Sequence, residues 1–95
     1  MDTILNLFKI DLGITHSLRD AYFITLIQGS IKEIEKKGIT IDTKKTEDQM
    51  LVSDYAAWTY RKRQEDVPLA NNIQQRLRNR IIEERIAKQN AISEI

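Results

Sequence analysis

The chain holds few of the residue types that catalysis and metal binding require. His16 is the only histidine, and no nucleophile with an orienting carboxylate accompanies it in sequence, so a surface or helix-capping role is expected. The absence of cysteine excludes disulfide bonds and thiolate metal sites. No glycine-rich phosphate loop or nucleophile elbow occurs. The sequence therefore predicts a protein that is not an enzyme and needs no cofactor or metal.

Three acidic residues, Asp42, Glu47 and Asp48, are the one group whose oxygen atoms suggest a divalent cation. Their spacing matches no loop in which alternate residues converge on an ion. Glu47 and Asp48 instead fit the first turn of a helix, where negative charge complements the positive end of the helix dipole. No metal site is expected at these residues.

Aromatic and basic residues occur together near position 60. Tyr55, Trp58 and Tyr60 accompany a basic run at residues 61–63, a combination found in surfaces on which single-stranded nucleic acid stacks. Alternatively, Tyr55 and Trp58 share a buried helix face with Leu51, and the cations favour the last turn of that helix. The second interpretation is favoured, and the first is kept as an alternative.

Four arginines form a second basic group, Arg76, Arg78, Arg80 and Arg85. Arg80 and Glu84 are four residues apart, which is ion-pairing spacing in a helix. A helix that reads DNA bases could carry such residues, but no preceding helix and tight turn of helix-turn-helix length frame them. The favoured interpretation is a solvated helix face or ion pairs between subunits.

Four helical segments must position these residues. Hydrophobic periodicity and helix start and stop signals place them at about residues 4–12, 17–36, 46–63 and 68–90, followed by a frayed end. The signals are N-terminal caps at Thr3, Ser17 and Thr46, glycine exits at Gly13 and Gly38, and a helix start at Pro68. The alternation over residues 39–45 is too short for a sheet and predicts a loop. The fold class is therefore all-α, a small bundle with a short first helix and three longer helices.

The predicted core consists of apolar residues at helical spacing. Its members are Ile24, Ile27, Ile31, Leu51, Tyr55, Trp58, Ile73 and Leu77. The second helix has another apolar side with Leu18, Tyr22 and Leu26, so it is expected to contact two neighbours. Gly29 within that helix predicts close packing against another helix.

The fourth helix carries apolar residues on two opposed sides. One side, which drifts around the axis, carries Leu69, Ile73, Leu77 and Ile81, whereas Ile82 and Ile86 fall roughly 160 to 200° away. A peripheral helix of a monomer is apolar on one side only. Either this helix is sandwiched within its own domain, or the second side meets another subunit. The second interpretation is favoured because exposed apolar patches mark interfaces.

Length and charge predict one small domain spanning residues 1–95. The 15 Lys and Arg residues nearly balance the 14 Asp and Glu residues, and a net charge of +1 gives no overall attraction to nucleic acid or membrane. No apolar run approaches the ~20 residues of a membrane span, and the start of the chain lacks the basic residues of a signal peptide. An intracellular protein without a membrane partner is expected.

Several short motifs follow one another between Leu5 and Ile82. They are Leu12-Gly13-Ile14-Thr15, Arg19-Asp20-Ala21-Tyr22, Ile34-Glu35 with Gly38-Ile39, Met50-Leu51-Val52, Asp54-Tyr55-Ala56-Ala57-Trp58 with Tyr60-Arg61-Lys62-Arg63, and Pro68-Leu69 before Gln75-Arg76-Leu77-Arg78-Asn79. In this order and spacing the chain resembles the small head-tail connector, or adaptor, proteins of tailed bacteriophages and prophages, which are also described as DNA-packaging proteins.

The resemblance implies a structural protein of the virion neck that is present in the host cytoplasm during assembly. Its copies are expected to form a ring that binds the portal protein ring, completes the head after DNA packaging and attaches neck, stopper or tail components. The residues expected to contact other copies or the portal are Ile82, Ile86, Arg76, Arg78, Arg80 and Arg85. The arginines either pair with acidic groups of a neighbour or face the channel, where contact with DNA would be non-specific.

The alternative function is a small DNA-binding regulator or packaging accessory factor. The two basic groups motivate it, since phosphate contacts by arginine and lysine supply most non-specific affinity for DNA.

Overall fold

The structure, a computed structural model, describes residues 2–63 and 67–93, with side chains up to residue 89. Four helices account for most of these residues, and the described part of the chain contains no strand. They are α1 (Asp2–Leu12), α2 (Asp20–Lys36), α3 (Thr46–Lys62) and α4 (Asn71–Ser93). The predicted all-α class, with a short first helix and three longer ones, is confirmed.

The starts of three helices differ from the predicted caps. Thr3 lies inside α1, which already begins at Asp2. Arg19 precedes α2, and Ser17 contributes its backbone carbonyl, which accepts from the Asp20 N–H at 3.3 Å. Lys45 precedes α3, and neither α2 nor α3 has a side-chain cap hydrogen bond. The hydroxyl caps predicted from sequence are therefore wrong, and at the starts of α2 and α3 the backbone carbonyls of Ser17, Arg19 and Lys45 accept from nearby N–H groups instead.

The fourth helix begins later and ends later than the sequence predicts. Pro68 precedes α4, and the carbonyl of Ala70 accepts the first helical hydrogen bonds, from the N–H groups of Ile73 and Gln74. The helix continues to Ser93, past the predicted end near residue 90. Any fraying further on concerns residues 94 and 95, which lie outside the described residues, as do residues 64–66 of the predicted linker.

Two glycines supply the predicted helix exits, whereas a third does not have its predicted role. Gly13 has φ 71° and Gly38 has φ 97°, a left-handed conformation that ends α1 and α2 and that other residues adopt only with strain. Gly29 lies inside α2, and a Cβ built there would meet nothing within 4 Å. The predicted close packing at Gly29 is therefore wrong, since that position faces open space.

The core lies among α1, α2 and α3, and α4 covers one side of it. Phe8 of α1 and Phe23 of α2 meet with ring centroids 5.1 Å apart, and Tyr60 of α3 presents its ring edge to both. Of the predicted core, five residues are buried: Ile27, Leu51, Tyr55, Ile73 and Leu77. The aromatic contacts hold α1, α2 and α3 together, and α4 packs on this three-helix unit through Ile73 and Leu77.

The other predicted core residues, Ile24, Ile31 and Trp58, are only partly buried and pack at the margin of the core. In α2 the buried line runs through Phe23, Ile27, Ser30 and Ile34, so the helix is rotated relative to the isoleucine stripe that the sequence suggested. Phe23 explains this rotation, because its large ring must enter the core beside Phe8. Leu18, predicted to lie on the second apolar side of α2, precedes the helix and is 87% exposed.

Helix α4 packs mainly against α3 and gives the molecule an elongated shape. The principal extents are 51 × 27 × 18 Å. Helices α3 and α4 run in opposite directions, since Arg76 pairs with Asp54 whereas the later Arg80 pairs with the earlier Asp48. The second half of α4 is thereby directed towards, and past, the start of α3.

Candidate interaction surface

Helix α4 has one buried face and one exposed apolar face. Ile73 and Leu77 are 6% and 5% exposed against the rest of the subunit, and Ile81 is partly buried. Ile82 and Ile86 are 54% and 51% exposed. Ile82 follows Ile73 by nine residues, which at about 100° per residue places the two on opposite sides of the helix. The subunit therefore covers only one of the two predicted apolar sides.

The four arginines of α4 divide into an inward and an outward pair. Arg76 Nη2 lies 2.6 Å from Asp54 Oδ2, and Arg80 forms an ion pair with Asp48. Arg78 and Arg85 are exposed and form no ion pair with the described residues. From the sequence, Arg76, Arg78 and Arg80 were expected to face either a neighbouring subunit or a channel. Arg76 and Arg80 are instead engaged within their own subunit, and only the outward pair shares the exposed face with the isoleucines.

The outward arginines belong to the same face as the exposed isoleucines. Arg78, Ile82 and Arg85 follow at spacings of four and three residues, which puts them on one strip of the helix, and Ile86 lies one turn beyond Ile82. We call these four residues the α4 stripe. An apolar centre flanked by arginines has the composition of a protein interface, where arginine is enriched and other charged residues are depleted.

A buried ion pair anchors α4 to the rest of the subunit. Asp48 is 2% exposed, and its carboxylate accepts from Arg80 and, at 2.8 Å, from the backbone N–H of Asp42. Arg80 also donates to the carbonyl of Thr40 at 2.9 Å and lies 3.9 Å from Glu84. The Asp48 hydrogen bond raises the pKa of the Arg80 guanidinium, which stays charged. One carboxylate thus joins α3, the loop before it and α4.

Asp48 lies in the first turn of α3, as predicted, and it has a further role that the sequence did not indicate. Its side chain turns towards the loop between α2 and α3, which needs acceptors for its backbone N–H groups. Glu84 of α4 helps in the same way, since its Oε1 accepts from the N–H of Thr40 at 3.1 Å. Glu47, by contrast, is exposed in the first turn as expected. The predicted loop is confirmed, and Ile39 within it is buried.

Beyond this anchor, α4 continues past the start of α3. Lys45 and Glu47 line a shallow groove with Ala87, one turn beyond Glu84. The helix continues for nine residues after Glu84 to Ser93, which at 1.5 Å per residue is about 13 Å. Ile86 and Arg85 lie at the beginning of this extension. Arg78 and Ile82 of the stripe therefore lie on the part of α4 that packs on the bundle, and Arg85 and Ile86 lie where α4 begins to extend beyond it.

The aromatic residues near the end of α3 are already engaged in packing. The indole N–H of Trp58 donates to the Val67 carbonyl at 2.9 Å, and the Lys62 ammonium lies 4.9 Å from the ring centroid of Trp58. The Tyr60 ring packs edge-on against Phe8 and Phe23. These contacts correspond to the structural interpretation of the aromatic and basic group, in which the rings support the fold.

Tyr55 is held in the same way. Its hydroxyl donates to Glu33 Oε2 at 3.0 Å, and burial, followed by this hydrogen bond to a carboxylate, raises the pKa of Tyr55 to about 12. The neighbouring cations also have partners, since Arg61 pairs with Asp11 at 3.1 Å and Arg63 donates to the Tyr22 hydroxyl. The residues proposed for base stacking are therefore tied into contacts with the rest of the fold.

A second exposed apolar area lies between α1 and α3, and the sequence did not reveal it. Ile10 is 76% exposed and Met50 is 49% exposed, and with Leu7 they line a groove of about 210 Å³. Asp11 and Asp54 lie at the same groove. We call this the α1/α3 groove. Its residues come from two helices that are distant in sequence, so only the packing of α1 on α3 brings them together.

The rest of the described surface carries a further open groove and scattered acidic side chains. The described residues contain no group of three or more His, Cys, Asp or Glu side chains able to hold a metal ion. A cavity of about 420 Å³ forms an open groove between α2 and α3, lined by Tyr22, Leu26, Gly29 and Glu33 among others. His16 is exposed. Over the part of the chain that the structure describes, no helix combines the length and apolar character of a membrane span.

The fold and its surface define a small all-α protein with an exposed, arginine-flanked apolar stripe. Comparison with protein-family models, with curated protein sequences and with solved structures gives no match to this chain. The α4 stripe and the ordered sequence motifs are therefore the features of this chain that bear on its function.

Proposed function

We propose that this protein is a virion structural protein, a head-tail connector subunit. Its copies form a ring that binds the portal protein ring, completes the head after DNA packaging and attaches neck, stopper or tail components. The observation that supports this proposal is the division of α4 into a face that holds its own subunit and a face that exposes Ile82 and Ile86. The ordered resemblance of the sequence to connector proteins supplies the class of partner.

A connector subunit needs rigid surfaces more than it needs a catalytic centre. The Asp48–Arg80 pair fixes α4 to α3 immediately before Ile82, so that Ile82 and Ile86 are held in a defined direction. Preorganisation of this kind lowers the entropic cost of association. Monomeric proteins rarely leave sizeable apolar patches in water, and two isoleucines on one helix face fit a surface that is covered in an assembly.

The test replaces both exposed isoleucines with aspartate, Ile82→Asp and Ile86→Asp. Because both side chains face water in the subunit, the variant is expected to keep its helical circular dichroism and its folding stability. It is expected to lose oligomers in native mass spectrometry and to lose binding to the portal ring encoded in the same genome, seen by electron microscopy. Leu18→Asp is the matched control, since Leu18 is also exposed but lies far from α4 in sequence and before α2.

Three results would contradict the proposal or its test. If the double variant assembles and binds the portal ring as the unmodified chain does, the α4 stripe is not an interface. If Leu18→Asp causes the same loss, then any aspartate introduced on the surface disrupts assembly, and the loss in the double variant does not identify α4 as the interface. A gene neighbourhood without a portal or capsid protein would remove the connector function itself.

A second candidate, a small DNA-binding factor, is favoured by the outward arginines. Arg78 and Arg85 are seven residues apart on one face and have no ion-pair partner in the described part of the chain. This candidate predicts salt-dependent binding to duplex DNA whose salt slope falls when both become alanine. Arg76→Ala with Arg80→Ala is a poorer test, since those arginines hold α4 in place. A mobility-shift assay without binding at physiological salt would exclude this candidate.

A further inference from the structure

The subunit carries two different exposed apolar surfaces, the α4 stripe and the α1/α3 groove. We propose that the α4 stripe of one copy packs into the α1/α3 groove of a second copy, in a head-to-tail contact. This inference rests on the proposed function in that it names the surface that the stripe meets during self-assembly. Each copy then offers a stripe to one neighbour and a groove to the other.

The apolar parts of the two surfaces match in shape and chemistry. The stripe is a convex helix face with Ile82 and Ile86 at its centre, and the groove is a concave seam between two helices lined by Leu7, Ile10 and Met50. A helix seated in a groove between two helices follows the ordinary packing of ridges into grooves. Met50 adds adaptability, because an unbranched thioether side chain fits irregular surfaces.

The charges of the two surfaces are complementary. Arg78 and Arg85 flank the isoleucines, whereas the groove carries Asp11 and Asp54, whose side chains remain 44% and 38% exposed. Each aspartate uses only its Oδ2 in the ion pair with Arg61 or Arg76. An ionised carboxylate has acceptor positions on both oxygens, so it can accept from a second arginine. The groove can therefore receive the arginines of the stripe.

A two-fold contact between two stripes is disfavoured by the same charges. Such a contact would bring Arg78 and Arg85 of both copies into one interface. Of the nearest glutamates of α4, Glu84 lies about 200° around the axis from Ile82, outside the stripe, and Glu83 lies only at its edge, about 60° from Ile86. Like charges placed opposite each other at an interface are unfavourable. The groove offers the stripe two aspartates, each shared with an arginine of its own subunit, whereas the centre of a second stripe carries only further arginines.

The size of the contact predicts that a single pair of copies is weak. The stripe, from Arg78 to Ile86, is about 13 Å long and about 10 Å wide, so it covers roughly 130 Å². A stable interface buries about 800 Å² per partner. Because stripe and groove are different patches, the contact is heterologous, and successive copies either close into a ring or continue as a filament. Closure, in which every copy uses both surfaces, adds to the stability that one pair lacks.

The absence of cysteine makes disulfide cross-linking the direct test. One variant carries Ile86→Cys in the stripe, and another carries Met50→Cys in the groove. Mixed at high concentration and oxidised, they are expected to form the mixed dimer in roughly tenfold excess over a mixture of Ile86→Cys with Gln28→Cys. Gln28 is the control because it is exposed on α2, away from both surfaces. A chain carrying both Met50→Cys and Ile86→Cys is expected to form a ladder of higher oligomers.

Two outcomes would overturn this inference. Predominant Ile86→Cys homodimers would show that two stripes meet, which overturns the head-to-tail contact but leaves assembly through α4 in place. A mixed dimer no more abundant than with the Gln28 control would show that the groove does not receive the stripe. In either case the proposed function is judged separately, by portal binding of the unmodified chain and of the Ile82→Asp, Ile86→Asp variant.

Discussion

Replacing Asp48 with alanine removes the carboxylate that joins α3, the preceding loop and α4. In the folded protein this carboxylate is buried and accepts from the Asp42 N–H and from Arg80. The Arg80 side chain is itself only 14% exposed. The substitution therefore leaves a largely buried guanidinium without its main partner, and it also leaves the loop N–H of Asp42 without its acceptor.

The magnitude follows from these two losses. A hydrogen bond to a charged group contributes about 1.5–3 kcal/mol, and removing one partner of a buried ion pair costs about 3–5 kcal/mol. Arg80 retains the Thr40 carbonyl at 2.9 Å and Glu84 at 3.9 Å, which lessens the loss. We therefore expect Asp48→Ala to lower the free energy of unfolding by about 3 kcal/mol, the lower end of the range for a buried pair.

Urea denaturation followed by circular dichroism at 222 nm measures this loss. With a urea dependence of about 1.5 kcal/mol per molar, a loss of 3 kcal/mol lowers the midpoint by about 2 M. Asp11→Ala is the matched control, because Asp11 and Arg61 are 44% and 50% exposed and such a pair contributes about 0–1 kcal/mol. Asp48→Ala combined with Arg80→Met should cost less than the sum of the two single changes. Equal effects of Asp48→Ala and Asp11→Ala would refute the reasoning.

Three further predictions concern stability. The pKa of Tyr55 is raised to about 12 from an ordinary value of 10, so its contribution is fully present below pH 10 and is lost as the pH rises towards 12. Two pK units correspond to at most about 3 kcal/mol, and Tyr55→Phe should remove this part of the pH dependence of unfolding. Gly29→Ala should stabilise the protein by up to about 1 kcal/mol, since the new methyl group meets nothing. Gly38→Ala should instead destabilise it by about 1–2 kcal/mol, because φ is 97° there. Thermal and urea unfolding distinguish the opposite signs of the two glycine changes.

The sequence predicted the helices well and their rotation less well. Apolar periodicity and the exits at Gly13 and Gly38 depend on local chemistry, which a single sequence displays. The rotation of α2 depends on which large side chain enters the core, and Phe23 was placed there by a contact with Phe8 of another helix. The predicted caps of α2 and α3 failed for a related reason, since backbone carbonyls near these helix starts compete with hydroxyl groups for the N–H donors.

The candidate surface could be predicted only in part. Rotation along α4 separated Ile82 and Ile86 from Ile73 and Leu77, and their exposure agrees with that separation. The sequence could not show which arginines face inward and which face outward, because the partners of Arg76 and Arg80 lie 22 and 32 residues earlier in the chain. The α1/α3 groove was missed because its lining comes from two helices separated by about 40 positions. Contacts between distant segments leave no periodic signal.

In the proposed assembly, the free end of α4 allows the effects of contact and of orientation to be tested separately. An isolated helix of fewer than about 12–15 residues is marginal in water, but residues after Glu84 extend a helix already held on α3, so they require propagation without nucleation. The Asp48–Arg80 pair is among the last anchors before this extension. A subunit that loses the Asp48–Arg80 anchor but keeps Ile82 and Ile86 should lose more of its oligomers than of its helix content. A subunit that loses the isoleucines but keeps the anchor should be as stable as the parent and still fail to assemble.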